Sequence, residues 1–113
     1  GRIRGYVNIG RANIYKAKQR EYLMIGSKSN KQETRLSGFN INIRHRQGQN
    51  ILFAKHLLAF HRCTHKGDSG SPVIDKNTLK ILGIVWGVDE KRNITLVIPI
   101  QQILNRFNAK LIH

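Results

Sequence analysis

Thr64-His65-Lys66-Gly67-Asp68-Ser69-Gly70-Ser71-Pro72-Val73-Ile74 is the stretch that decides how this chain folds and what chemistry it can carry. A serine hydroxyl becomes a useful nucleophile when it is exposed on a tight turn, with backbone N–H groups beside it to hold an oxyanion. Glycines on either side of Ser69 permit that geometry. Gly67 lets the backbone aim its N–H at developing negative charge, the Ser69 N–H is the second donor, and Gly70 leaves space beside the hydroxyl. Asp68 points the other way in such a turn and is expected to lock the loop through a buried polar contact. Pro72 then starts a strand. The competing reading of these residues is a purely structural Gly-Asp-Ser-Gly turn in an unrelated β domain.

Outward from this stretch, the apolar segments are short and bounded by turn residues, which predicts strands. They fall at residues 5–9, 21–25, 39–44, 51–54, 72–74, 79–87 and 94–98. Phe39-Asn40-Ile41-Asn42-Ile43 alternates apolar with polar, as a half-buried strand does. Gln47-Gly48-Gln49-Asn50, Asp75-Lys76-Asn77-Thr78 and Asp89-Glu90-Lys91-Arg92-Asn93 read as turns between strands. The polar run 28–37 reads as an exposed loop, and the periodicity of 55–62 does not decide between strand and helix. Only the end changes character. Ile100, Ile103, Leu104, Phe107 and Leu111 recur at helical spacing, with Pro99 suited to a first helical turn and Lys110 to the negative pole of the helix dipole. The pattern is thus six or seven antiparallel strands followed by one amphipathic helix over 100–111, with no internal repeat and no low-complexity segment.

Gly67-Asp68-Ser69-Gly70-Ser71-Pro72 resembles the nucleophile motif of chymotrypsin-fold (trypsin-like) serine proteases. Leu82-Gly83-Ile84-Val85-Trp86-Gly87 is similar to the strand that pairs with substrate backbone and lines the primary specificity pocket. Leu96-Val97-Ile98-Pro99-Ile100 resembles the next pocket-lining strand, and the last helix matches the one that closes these enzymes. The resemblance runs from Thr64 to Leu111 and is weak before Phe39. It implies an all-β fold, a six-stranded antiparallel β-barrel with a C-terminal α-helix, with residues 1–113 forming the second barrel of a two-barrel protease. It also implies an acyl-enzyme on Ser69, an oxyanion hole from the Gly67 and Ser69 N–H groups, Asp68 as loop lock, and no cofactor. Substrate is expected to meet Cys63, Thr64, His65, Lys66, Val85, Trp86 and Gly87. Among such proteases the pattern looks closest to the glutamyl endopeptidases and related disulfide-poor bacterial or viral enzymes. In those, a threonine at the position of Thr64 and a histidine at the position of Val85 bind an acidic P1 side chain. Val85 replaces that histidine, and Cys63 occupies the pocket-base position where a trypsin-like enzyme has an acid. A small or apolar P1 residue is therefore expected.

A serine hydroxyl needs a general base near neutral pH, usually a histidine oriented by a carboxylate. The chain has five histidines, His45, His56, His61, His65 and His113, and none stands in a matching sequence context. The resemblance implies that the catalytic His and Asp lie in an N-terminal barrel outside this sequence. His65 is expected to line the pocket wall. His45, His56 and His61 read as surface or half-buried residues. His61, Cys63 and His65 alternate at metal-ligand-like spacing, but three residues on one strand make a poor tetrahedral zinc set.

Composition limits the remaining choices. At 113 residues the chain fits one small domain, and 40% apolar residues exclude a disordered tail as the overall description. No apolar run reaches membrane-spanning length, and the start of the sequence offers no signal peptide. With no initiator Met, the chain is expected to be a fragment or a processed product that stays associated with its N-terminal half. A lone cysteine, Cys63, favours a reducing intracellular compartment. Twenty Lys and Arg against six Asp and Glu give a net charge of +14. Such a field attracts polyanions, so the partner list holds an acidic protein surface and nucleic acid beside a peptide substrate. The alternative to an endopeptidase is a catalytically inactive, protease-like module that binds nucleic acid or an acidic protein through its basic surface.

Overall fold

The computed structural model describes residues 5–26, 30–65 and 67–112. The elements run α1 (Ile14–Lys18), β1 (Tyr22–Gly26), β2 (Asn30–Thr34), β3 (Leu36–Gln47), β4 (Asn50–His61), β5 (Pro72–Asp75), β6 (Ile81–Asp89), β7 (Ile94–Pro99) and α2 (Ile100–Ile112). Every ladder is antiparallel, and the seven strands lie in the order β2-β1-β5-β6-β7-β4-β3.

The two outer strands of that order are consecutive in sequence, separated only by Arg35. Among the described residues no ladder joins them, so the sheet is not closed by hydrogen bonds there. The chain itself links its ends: β2 pairs with β1, the chain bends at Arg35, and β3 pairs with β4. Counting β2 and β3 as one bent strand gives the six strands expected from sequence. The bend is pinned by polar contacts, with the Thr34 hydroxyl donating to the His61 carbonyl at 2.7 Å and the His61 N–H donating to the Arg35 carbonyl at 2.9 Å.

Strand alternation places the core inside this curved sheet. In β1, Tyr22, Met24 and Gly26 point inward, while Ile25 faces solvent. They meet Leu36, Leu58, Phe60, Val73, Leu82, Val85 and Val97, each buried. The Tyr22 and Phe60 rings pack edge to face with centroids 5.4 Å apart, a geometry that aligns positive ring edge with negative ring face. Full burial of a side chain the size of Phe60 contributes about 1.5–3 kcal/mol. The Tyr22 hydroxyl, carried into this interior, donates to the Ala17 carbonyl at 2.7 Å.

Several expectations need correction. Residues 30–34 and 36–37, read as loop, are strand; four successive exposed positions in β2 carry no apolar alternation for a sequence pattern to register. Residues 5–9 form no strand and hold only an isolated parallel bridge, Tyr6 to Ile81. The undecided segment 55–62 is mostly strand, continuing β4 to His61. The five-residue α1 is too short to show helical periodicity. The terminal helix begins where the spacing predicts, with Ile100 buried, and Pro99 closes β7 rather than opening the helix. The side chains of Phe107, Lys110 and Leu111, together with His113, lie outside the described residues, as do Lys66 and the segment 27–29. Among the described residues no helix is long and apolar enough to cross a membrane.

The distal half of the β3–β4 hairpin projects beyond the sheet. β4 pairs with β7 only from Leu58 to His61, whereas its ladder with β3 runs out to Asn50. The hairpin departs at a kink. Asn40 and His56 both adopt left-handed backbone, at φ 60° and 58°. The register shifts on either side of Ile41, and the His56 N–H donates to Asn42 Oδ1 at 3.0 Å.

Candidate active site

The loop between β4 and β5 is stapled to β6 by backbone. The Gly70 N–H donates to the Val85 carbonyl at 2.9 Å and the Val85 N–H donates to the Ser71 carbonyl at 2.8 Å, so the bonds fall just after Ser69. Within the loop, the Asp68 N–H reaches the His65 carbonyl and the Ser71 N–H reaches the Asp68 carbonyl, each at 3.0 Å. Gly67 and Gly70 take φ of +102° and +91°, a region that side chains other than hydrogen rarely tolerate. The glycines of the motif are therefore required by the turn itself.

Asp68 turns into the interior, fully buried, and its Oδ2 accepts the His65 N–H at 2.7 Å. It rests against Gly26 of β1, where a Cβ would stand 2.5 Å from Asp68 Oδ1. Ser69 is left exposed, its hydroxyl donating to the Trp86 carbonyl over 3.4 Å. No imidazole bonds to that hydroxyl among the described residues. His56 pairs with Asn40 on the hairpin, His45 and His61 are exposed, and His65 flanks the serine loop.

A cleft of about 350 Å³ opens beside Ser69. Thr64, His65, Gly67, Ser69, Val85 and Gly87 from the expected set line it, joined by Arg62, Val88 and Glu90. Cys63 and Trp86 are placed differently from the expectation. Cys63 lies in the segment just past the end of β4, and its side chain packs into the core, with its N–H held by the Thr95 hydroxyl. Burial pushes its thiol pKa up, against the lowering effect of side-chain hydrogen bonding with Thr95 and Thr34, and the Asp68 charge adds to the rise. Trp86 is the extra residue of a register shift between Val85 and Gly87, and its side chain lines clefts on the other side of the strand. Lys66 lies outside the described residues.

Thr64 touches the cleft but is only 2% exposed, and its hydroxyl pairs with that of Thr95 at 3.0 Å. Thr95 Oγ1 also accepts the Cys63 N–H at 3.1 Å. Thr95, on β7 and fully buried, thus ties down the two residues that lead into the serine loop. Sequence reasoning missed it, since a single buried threonine in an apolar strand carries no local motif. It also missed Arg62 and Glu90, two opposite charges on one cleft that form no ion pair among the described residues. Beyond Ile84, β6 has no β5 partner, leaving one edge of residues 86–89 without a ladder beside the cleft.

Comparison with known proteins supports the architecture. No protein-family model matches the chain, and no curated protein does. Among solved structures, the crystal structure of a Nocardiopsis protease superposes with a TM-score of 0.70 at 18% identity. The match covers 94% of this chain and 51% of that one, so the chain spans about half the length of the structure it resembles. The fold is that of a chymotrypsin-like β-barrel half with its C-terminal helix.

Proposed function

We propose that this chain is the nucleophile-bearing half of a serine endopeptidase, the second barrel of a two-barrel enzyme. The observation that carries the reading is the exposed Ser69 hydroxyl, on a left-handed glycine turn, sharing one cleft with Gly67 and Gly87. Ser69 Oγ would attack the scissile carbonyl while its proton passes to a histidine of the companion N-terminal barrel. The Gly67 and Ser69 N–H groups would hold the oxyanion. Collapse of the tetrahedral adduct breaks the C–N bond, the imidazolium returns the proton to the leaving amine, and water then hydrolyses the acyl-enzyme. The edge of β6 over residues 86–89 would receive the substrate backbone as an added strand. A small or apolar P1 side chain suits the cleft: Val85 and Val88 line it, Gly87 leaves it open, and the Thr64 hydroxyl is already engaged by Thr95.

Labelling with a fluorophosphonate, read by intact mass with the N-terminal barrel present, tests this. An adduct on this chain that disappears in Ser69→Ala is the expected result. No adduct with both halves present rejects the reading and leaves a protease-like binding module. A peptide library cleaved chiefly after acidic or basic residues would reject the P1 preference alone.

A further inference from the structure

The β3–β4 hairpin arm carries a composition that proteolysis does not use. From Thr34 to Gly67 the sequence holds no carboxylate, so neither strand of the arm carries a negative side chain. Elsewhere the acids are largely spent: Glu21 and Glu33 on Lys76 and Arg35, Asp75 on Arg20, Asp89 on Arg92, and Asp68 inside the serine loop. On the arm, directly opposed residues share a face. Arg44 faces Phe53 and Arg46 faces Ile51 across the ladder, and Lys55 follows Phe53 on that face by alternation. The Arg44 guanidinium lies 5.7 Å from the centroid of the Phe53 ring, which is 65% exposed. Arg106 of α2 closes the groove beside Phe53 and Lys55. Arg46, Lys55 and Arg106 form no ion pair among the described residues.

We propose that this face of the hairpin arm binds single-stranded nucleic acid, with Phe53 stacking on a base and Arg44, Arg46 and Lys55 holding phosphates. The site is independent of Ser69 chemistry. An aromatic ring already flanked by a guanidinium, on two strands that themselves carry no carboxylate, is the arrangement such strands favour. Asp89 and Glu90 of the β6–β7 turn line the cleft on the far side of Arg44, with Asp89 paired to Arg92. A bilayer fits less well: the tip of the arm is Gln47-Gly48-Gln49-Asn50, and its apolar residues sit behind that polar turn. An acidic peptide would use the cations but would have no planar base to offer Phe53.

Fluorescence anisotropy with a labelled single strand of about a dozen nucleotides tests the assignment. Three phosphate contacts predict a slope of log K against log salt near −2, or roughly twenty-fold weaker binding on going from about 50 to 200 mM salt. Phe53→Ala should weaken binding at least about five-fold, the low end for losing one stacked base. Arg44→Gln with Arg46→Gln should reduce the slope to about −0.7. Lys16→Gln with Lys80→Gln removes equal charge from a separate cleft and should change affinity much less. Circular dichroism of each variant checks folding. Absence of binding, equal loss in the two double variants, or indifference to Phe53→Ala would overturn the assignment. So would displacement by polyglutamate at matched charge, or Phe53-dependent binding to phosphatidylserine vesicles in its place.

Discussion

Thr95→Val separates the polar role of this residue from its packing. Valine keeps the shape and removes the one oxygen that the Cys63 N–H and the Thr64 hydroxyl both use, at 3.1 and 3.0 Å. Both groups are buried with no water-exposed alternative in place, and each orphaned group costs about 1–3 kcal/mol. The variant should lose about 2–6 kcal/mol in urea unfolding, or roughly 8–24 °C in Tm at about 4 °C per kcal/mol. Thr95→Ser keeps the oxygen and loses one methyl, which costs about 1 kcal/mol. Thr64→Val should hurt less in the Thr95→Val background than alone, because the hydroxyl it removes is already orphaned. The Cys63 thiol gives a local readout: buried and held protonated in the fold, it should react with a thiol reagent faster in Thr95→Val than in Thr95→Ser. A valine variant within about 0.5 kcal/mol of wild type, or a serine variant equally damaged, would refute the reasoning.

Two further outcomes follow from the core. Gly26→Ala drives a methyl against Asp68 Oδ1 and, at 2.9 Å, Met24 Sδ, and should cost about 1–3 kcal/mol by overpacking; Gly10→Ala, where nothing lies within 4 Å of the added carbon, should be neutral or slightly stabilising in the same urea titration. Tyr22 has its pKa pushed up from 10.0 to about 12, by burial first and the Asp75 charge second, against Arg20. The unfolded chain ionises this phenol from pH 10 while the fold does not, so its contribution is complete below pH 10 and lost by about pH 12. That window should remove about 3 kcal/mol of stability, and Tyr22→Phe should flatten it.

The serine loop was legible because its requirements are local. Left-handed backbone at Gly67 and Gly70 needs glycine, and a buried carboxylate at Asp68 needs its partner N–H three residues away. The strands around it were legible where one face is buried, as in β1 and β5–β7. β2 was not, since its first four residues are exposed and polar, and its strand character comes only from pairing with β1. The cleft was half legible. Thr64, His65, Val85 and Gly87 could be placed from the order of the motif and its strands. Thr95, Arg62 and Glu90 reach the same region by ladder registers that no short pattern encodes. The placement of Trp86 turns on a single-residue register shift in β6, and that of Cys63 on a long-range contact with Thr95, and neither leaves a local pattern.

The single residue that joins β2 to β3 also carries the phase of the whole barrel. Thr34 is buried, Arg35 exposed and Leu36 buried, so in-and-out alternation passes through the bend without a break. One bent strand therefore synchronises two ladders that share no backbone pairing with each other, like a shaft that keeps two gears in step. Inserting or deleting one residue at Arg35 leaves every β1–β2 and β3–β4 pairing locally possible, yet puts the two halves out of phase. Length variation in this family of shapes can accumulate at the tip of the hairpin arm, where nothing downstream depends on parity, but a single codon at Arg35 is a frame that the protein cannot slip.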